Sequence, residues 1–224
     1  MTQDTRTIFL DTNVFMGYAL DGRIEKFHPQ CCTIFSAPNL RYTSLTVKQE
    51  LGTKQRDRKK LYREIVAHIA SKKPSKDFHP SSGKRSDIQH GITILEAYDS
   101  NLMDLEFIRT LFVTLSQGIM DALLSKTHRD LVARSDDGDM KDHFQFVVGI
   151  HHPDDSILAD FFDWALPKSD VCSFVTCDGT VDQKKVDILD YVKDYKQDCN
   201  HLSIWFVTSA AKRVGPPDEQ EIAG

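Results

Sequence analysis

Two short apolar runs, each ending abruptly in a carboxylate, constrain the fold of this chain most strongly. The run from Ile8 to Leu10 is followed by Asp11, and the run from Cys172 to Cys177 is followed by Asp178. Apolar runs of this length, bounded by turn residues, predict buried strands rather than helices. Open α/β sheets place their ligands at the carboxyl ends of parallel strands. Asp11 and Asp178 are therefore predicted to lie at one edge of a sheet, although Asp11 taken alone is more simply explained as a cap of the next helix.

The segments between these runs alternate in a way that predicts an α/β fold. Ser44 is suited to cap a long amphipathic helix that carries Glu50 in its early turns. Asp154 and Asp155 open another helix, and the stretch from Leu202 to Val207 is a final apolar strand. This order predicts a central parallel sheet sandwiched by helices, with right-handed crossovers.

The chain is predicted to form one domain over residues 1–214, followed by a polar C-terminal tail over residues 215–224. Residues 77–150 are predicted to be a helical insertion, since apolar residues recur at helical spacing between positions 91 and 131. The first part of this insertion, residues 77–90, is rich in polar and turn-forming residues and predicts a mobile loop.

Three shorter segments give less specific patterns. The apolar stretch from Cys31 to Phe35 is read as a strand, and the stretch from Val181 to Cys199 as one helix. Residues Phe144 to Ile150 fit a short helix or a strand, because periodicity does not separate the two for short apolar runs.

Composition places the chain among globular proteins. Its 224 residues are 40% hydrophobic, which is enough for a full core. Mean hydropathy is −0.38, and no apolar run approaches the ~20 residues of a membrane span, so no membrane association is expected. Residues 1–7 lack the apolar stretch of a secretory signal. The five cysteines are odd in number and form no CxxC, which predicts free thiols in a reducing, cytoplasmic setting.

A basic segment stands out within a chain of net charge −5. Between Lys54 and Lys76, nine basic residues oppose Asp57 and Glu64, a local charge of +7. Such clustering indicates contact with phosphates, and its alternative is a solvated helix face. The candidate nucleic-acid-binding residues are Lys54, Arg56, Arg58, Lys59, Lys60 and Arg63.

Several carboxylates are predicted to converge at the strand ends, which suggests a metal site. The helix that begins at Asp154 can open on the same edge as Asp11 and Asp178. Carboxylates in close contact repel each other by ~1 kcal/mol or more per pair, a cost that a structural role rarely requires. Mg²⁺ or Mn²⁺ removes this repulsion, because these ions prefer hard oxygen ligands. Such a site activates water for phosphodiester hydrolysis.

Four motifs carry a resemblance to a known family. In chain order they are Ile8–Val14 (IFLDTNV), Thr43–Leu51 (TSLTVKQEL), Asp154–Ala159 (DDSILA) and Phe174–Asp178 (FVTCD). Together they resemble the motifs of PIN-domain ribonucleases, over about residues 6–70 and 150–208. The insertion is longer than the corresponding connection in compact members, so their substrates and oligomeric states are not carried over.

The resemblance implies a PIN-like, Rossmann-like α/β/α sandwich with a central parallel sheet. It also implies a Mg²⁺- or Mn²⁺-dependent endoribonuclease that cleaves RNA, usually single-stranded. It is compatible with a homodimer and with an inhibitory protein partner. It implies that the catalytic and metal-binding residues are Asp11, Glu50, Asp154 and Asp178, with Asp155 and Asp182 as further candidate ligands and Thr12, Asn13 and Thr176 as positioning residues.

The choice between Asp154 and Asp155 rests on helix phase. Asp154 shares a face with Ile157, Leu158 and Phe161, so its carboxylate is predicted to follow the sheet edge toward Asp11. Asp155 is predicted to be rotated off that face and to interact with the helix dipole.

Two alternatives compete with the nuclease prediction. A PIN-like scaffold that binds RNA or protein without cutting it has the same fold, but all four acidic residues are present. A haloacid-dehalogenase-type phosphatase requires a second Asp two positions after the first, and position 13 is Asn. His151 and His152 are predicted to be ordinary loop residues.

Overall fold

The protein contains a four-stranded, all-parallel sheet with strand order β2-β1-β3-β4. The computed structural model describes residues 6–196 and 199–214. The strands are β1 (Thr7–Leu10), β2 (Leu40–Tyr42), β3 (Cys172–Thr176) and β4 (Leu202–Phe206). The parallel sheet and the α/β class predicted from the sequence are confirmed, and the predicted polar tail (215–224) lies outside the described residues.

Helices make up most of the remaining chain. They are α1 (Thr12–Ala19), α2 (His28–Ser36), α3 (Leu45–Ala70), α4 (Arg85–Asp99), α5 (Leu105–Ser125), α6 (Gly138–Asp142), α7 (Asp154–Ala165), α8 (Gly179–Gln183), α9 (Lys185–Lys196) and α10 (Val207–Val214), with a 3₁₀ turn at Ser75–Asp77 and a π-helix at His143–Val148. Ser44 caps α3 as predicted, because its side chain accepts a hydrogen bond from the Val47 amide.

The centre of the sheet is buried on both faces. Every residue of β1 and β3 is buried, and successive strand residues point to opposite faces, so helices must cover both sides. On one face, Phe9 of β1 lies beside Phe174 of β3 in register. The Phe9 ring is 5.6 Å from that of Phe161 and 5.8 Å from that of Trp164, which attaches α7 to the sheet. This packing fixes the start of α7, where Asp154 lies.

The prediction of a strand at residues 31–35 is wrong, because these residues belong to α2. Cys31, Ile34 and Phe35 are its buried residues, and their spacing of three and four is helical. Pro29 stands in the first turn, where a helix tolerates proline.

The prediction of a loop over residues 77–90 is wrong for half of that range, because residues 85–90 are helical and residue 77 ends a 3₁₀ turn. A 3₁₀ turn ends at Asp77, α4 begins at Arg85, and the Phe78 side chain is only 2% exposed. A Cβ on Gly91 would lie 2.2 Å from the Phe78 ring, so Phe78 packs directly on the backbone of α4. One buried aromatic residue anchors this polar segment.

Two other segments differ in detail from the prediction. The single helix expected over residues 181–199 is two helices, α8 and α9, which meet at Lys184. The Lys184 ammonium donates hydrogen bonds to the carbonyl groups of Val148 and Gly149. The ambiguous segment at 144–150 is largely the π-helix, which ends at Gly149 in a left-handed conformation.

Helix α5 is long and apolar enough to cross a membrane by length and composition alone. Core helices of soluble proteins pass the same test, and Ile108 and Leu115 of α5 are buried. The opposite side of α5 exposes Val113, Met120 and Leu124. The expectation that the chain does not associate with membranes therefore stays a prediction.

Helix α5 approaches α1 so closely that only glycine fits at position 118. A Cβ on Gly118 would lie 2.8 Å from the Cα of Ala19. We expect Gly118→Ala to lower the free energy of unfolding by at least about 1 kcal/mol, because the backbone of α1 would have to move. Urea unfolding followed by circular dichroism measures this change.

The matched control is Gly52→Ala in α3, where the nearest atom to the new Cβ is the end of the Arg56 side chain at 3.8 Å. This substitution should raise the free energy of unfolding by about 0.5–1 kcal/mol, because alanine favours the helix. Equal effects of the two substitutions would contradict the close approach of α5 and α1.

Candidate metal centre

Three carboxylates from distant parts of the chain meet at the carboxyl edge of the sheet. Asp11 follows β1, Glu50 lies in the second turn of α3, and Asp154 is the first residue of α7. Each offers one oxygen atom, and these oxygens all lie within 4.8 Å of one another. The sequence-predicted convergence of Asp11, Glu50 and Asp154 is therefore present in the fold.

Asp11 is the most buried member of this cluster, with 2% of its surface exposed. Its Oδ2 accepts a 2.7 Å hydrogen bond from the Thr176 hydroxyl. Its Oδ1 is buried and has no hydrogen-bond partner among the described residues. Although Asp11 occupies the N-cap position of α1, its side chain makes no capping bond there. Asp11 is thus not a helix cap, and a buried oxygen without a partner is costly.

Glu50 is held by residues of α1 and α3. The Thr12 hydroxyl donates a 2.5 Å hydrogen bond to Glu50 Oε2, and the Lys54 ammonium lies 3.2 Å from Oε1. The same ammonium donates to Asn13 Oδ1 at 3.2 Å. Thr12 and Asn13, predicted as positioning residues, thus orient Glu50 and Lys54 respectively.

Burial and mutual repulsion raise the pKa values of two members of the cluster. Burial raises the pKa of Asp11 to about 6, although the hydrogen bond from Thr176 works against the shift. Burial and, to a smaller extent, the charge of Asp11 together raise the pKa of Asp154 to about 8. Without a cation, ionising this cluster at neutral pH therefore costs stability.

The other predicted acidic ligands have different partners. Asp178 caps α8, because its Oδ1 accepts hydrogen bonds from the amides of Thr180 and Val181. Its charge still contributes to the raised pKa of Asp154, so it lies at the border of the cluster. The Asp182 carboxylate lies 2.9 Å from the Lys185 ammonium, which makes it an ion-pair partner within α8 and α9.

Asp155 lies in the first turn of α7 and is not a member of the cluster. Asp155 is only 4% exposed, and its Oδ1 lies 3.1 Å from Nδ1 of His152. Asp154 belongs to the cluster, as helix phase predicts, and the His152 ring contacts Asp155. His152 is a loop residue, as predicted, and its ring also borders the cleft described next. In the sequence, the contact between His152 and Asp155 is indicated by their spacing of three residues, which suits side chains that meet at a helix start.

A cleft of about 670 Å³ opens beside the cluster, with Glu50 and Lys54 on its wall. Its other cationic side chains are Arg58, Lys84, Arg134 and Lys141. Arg58 and Lys84 lie 3.4 Å from Asp87 and Asp57 respectively. Arg134 donates to the Gln49 side chain and Lys141 to the Ser135 carbonyl, and neither makes an ion pair within residues 6–196 and 199–214. The cleft is thus suited to anions.

The basic segment does not form a single face. Lys54 and Arg58 border the cleft, whereas Lys59 and Arg63 line a separate groove between α3 and α5. Lys60 is exposed, and Arg56 donates to the Thr53 hydroxyl at 3.0 Å. Sequence reasoning also missed Lys84, Arg134 and Lys141, because they reach the cleft from the insertion.

Comparison with known proteins leaves the site to be judged on its own geometry. No family model, no curated protein and no solved structure matches the chain. We therefore infer the function from the carboxylate cluster, the buried oxygen of Asp11 and the neighbouring cleft.

Proposed function

We propose that this chain is a PIN-like, Mg²⁺- or Mn²⁺-dependent endoribonuclease that cleaves single-stranded RNA. The observation that carries the proposal is the buried Asp11 Oδ1, which lacks a hydrogen-bond partner among the described residues and belongs to a cluster of three carboxylates. The four motifs that resemble PIN-domain ribonucleases support the same reaction class.

The residues present fit a divalent cation. Asp11, Glu50 and Asp154 offer hard oxygen ligands at mutual distances within 4.8 Å, and a cation would satisfy the unpartnered oxygen of Asp11. A bound divalent ion would supply Lewis-acid activation of water and neutralise charge that develops on the phosphodiester.

The chain's own residues prepare this site and hold the substrate. Thr176 fixes Asp11, while Thr12 and Lys54 fix Glu50, so the carboxylates are oriented before any ligand binds. Arg134 and Lys141 on the cleft wall contact only uncharged groups within the described chain and are suited to hold backbone phosphates.

The carboxylate cluster lies below the protein surface, which favours single-stranded RNA as the substrate. Asp11 is 2% exposed, so a scissile phosphate must enter the recess to approach it. A flexible single strand can bend a phosphate inward, whereas a duplex keeps its phosphates on a stiff cylinder.

Cleavage of an end-labelled single-stranded RNA, with Mn²⁺ or with EDTA, tests the proposal. We expect internal cleavage with Mn²⁺ and intact RNA with EDTA. Binding of RNA and Mn²⁺ without cleavage would identify the alternative, a PIN-like scaffold that binds but does not cut.

The position of the cleft predicts which cations contact RNA. We expect the double variant Arg134→Gln/Lys141→Gln to make the slope of log affinity against log salt concentration shallower by about 1.4, since each neutralised phosphate of a single strand contributes about −0.7. Fluorescence anisotropy of a labelled single strand in EDTA, over a range of KCl concentrations, measures the slope.

The matched control removes two positive charges from the separate groove, as Lys59→Gln/Arg63→Gln, and should leave the slope unchanged. If both double variants reduce the slope equally, the overall charge of the protein, and not the cleft, determines RNA affinity.

A further inference from the structure

Two cysteine side chains from distant parts of the chain touch beside the carboxylate cluster. Cys31 lies in α2 and Cys177 directly follows β3, and their sulfur atoms are 3.9 Å apart although the residues are 146 positions apart in the sequence. Both are free thiols, and we call them the thiol pair. The proposed cleavage gives the thiol pair no role, because Mg²⁺ and Mn²⁺ prefer oxygen ligands.

The thiol pair is close enough to form a disulfide after a small movement. The sulfur atoms of a disulfide are about 2.05 Å apart, so these two must approach by roughly 1.9 Å. Cys31 has little room to move, because it is completely buried and a Cβ on Gly17 would lie only 2.6 Å from its sulfur. Cys177 is partly exposed and therefore supplies most of the movement.

A cavity gives small molecules access to Cys177. Its volume is about 330 Å³, Cys177 and Asp178 line it, and it shares Lys54 and Arg58 with the cleft. The contact with Cys31 and burial raise the pKa of the Cys177 thiol, so the reactive thiolate is scarce. Sustained exposure to a small oxidant that fits the cavity is therefore needed before Cys177 reacts.

We propose that the thiol pair is a reversible oxidation site, at which a peroxide forms a Cys31–Cys177 disulfide that weakens cation binding at the carboxylate cluster. In the first step the O–O bond of hydrogen peroxide breaks, Cys177 becomes a sulfenic acid, and one water leaves. In the second step the Cys31 sulfur bonds to the Cys177 sulfur, the sulfur–oxygen bond breaks, and a second water leaves with the Cys31 proton. Two thiols lose two electrons in total, and one peroxide is reduced to two waters.

The position of Cys177 connects the thiol pair to the cluster. The hydroxyl of the preceding residue, Thr176, donates to Asp11 Oδ2 at 2.7 Å and accepts from the Asp178 amide at 2.8 Å. Closing the disulfide shifts the backbone on which both hydrogen bonds depend, and so changes the orientation of Asp11. Losing a contact that orients a metal ligand lowers metal affinity by about ten- to a hundredfold.

Peptide mapping by mass spectrometry tests the disulfide. The folded full chain in EDTA is treated with hydrogen peroxide, which catalase then removes, and the remaining thiols are alkylated before digestion without reductant. We expect a linked pair of peptides that contain Cys31 and Cys177 and that dithiothreitol separates. Cys31→Ala should leave Cys177 with added oxygen and no link. The matched control Cys32→Ser, at the neighbouring thiol, should form the link as the wild type does.

Thermal melting over a range of Mn²⁺ concentrations tests the effect on cation binding, after peroxide and EDTA have been removed. The oxidised wild type should need at least about tenfold more Mn²⁺ than the reduced wild type for half of the maximal stabilisation. Treatment with dithiothreitol, followed by its removal, should restore the reduced value. Cys177→Ala, which has no sulfur to oxidise at this position, should give the same value before and after peroxide.

The two measurements fail in different ways. A peptide map without the link, at a peroxide exposure that already oxidises Cys32, would overturn the disulfide. A link that leaves the Mn²⁺ dependence unchanged would overturn its effect on the cluster. That effect rests on the proposed metal centre, whereas the disulfide does not. If the reduced protein shows no stabilisation by Mn²⁺, the metal centre and the effect on it are both wrong, and the peptide map still decides the disulfide.

Discussion

Replacing Asp11 by Asn should abolish Mn²⁺-dependent RNA cleavage, lowering turnover by at least about a thousandfold. A catalytic cation contributes several kcal/mol to transition-state stabilisation, and ~4 kcal/mol corresponds to a factor of a thousand. Asn can still accept the hydrogen bond from Thr176 but cannot offer an anionic oxygen in place of Oδ1. Single-turnover cleavage of end-labelled RNA measures the loss.

Metal binding gives a second readout that does not depend on turnover. In the wild type, Mn²⁺ at a hundredfold excess over its dissociation constant should stabilise the folded state by ~2.7 kcal/mol. Asp11→Asn should lose most of this stabilisation. Asp182→Asn is the control, because Asp182 pairs with Lys185 and is not a member of the cluster. This variant should retain both the stabilisation by Mn²⁺ and the cleavage activity.

The variant Asp178→Asn, studied in the same two assays, distinguishes a catalytic role of Asp178 from its role as the cap of α8. Asn is also a good helix cap, so Asp178→Asn keeps α8 capped while it removes the charge. A loss of cleavage with normal thermal stability would include Asp178 among the catalytic residues. Normal cleavage would restrict its role to capping α8. If Asp11→Asn retains both cleavage and the Mn²⁺ effect, the metal centre is not where we place it.

The second large effect is a gain in stability. We expect Asp154→Asn to raise the free energy of unfolding of the metal-free protein by on the order of 5 kcal/mol at pH 8, since the pKa of Asp154 is raised from 3.8 to about 8 and one pKa unit corresponds to ~1.4 kcal/mol. Burial raises the pKa of Asp154 to about 8, so the folded state binds a proton that the unfolded chain releases near pH 4. Stability of the wild type in EDTA should therefore fall as the pH rises from about 4 to about 8.

Urea unfolding across this pH range checks both statements. Asp154→Asn should show a shallower fall, which ends nearer pH 6 because Asp11, with a pKa of about 6, remains. Asp187→Asn, at an exposed position, should follow the wild type. A wild-type stability that rises over the same range would show that the carboxylates are not mutually destabilising.

The sequence was sufficient to predict the parallel sheet because strands that are buried on both faces appear as short continuous apolar runs. β1 and β3 are short apolar runs with a carboxylate after them, and no distant residue is needed to recognise them. The convergence of Asp11 and Asp154 follows from the same rule, since parallel strands and the helices after them open on one edge.

Features that depend on distant contacts were not predictable in this way. Phe78 orders a polar segment only because Gly91 leaves room for its ring, and neither residue signals the other in the sequence. The break between α8 and α9 similarly occurs where Lys184 reaches the end of the π-helix. The wrong prediction of a strand at residues 31–35 has a local cause. The apolar residues of α2 have helical spacing, but the run is too short for its spacing to distinguish a helix from a strand.

The two walls of the cleft come from separable parts of the chain. Glu50 and Lys54 belong to α3, next to the sheet, whereas Lys84, Arg134 and Lys141 lie within residues 77–150. Substitutions at these three cations therefore change the charge of the cleft without removing any of the clustered carboxylates.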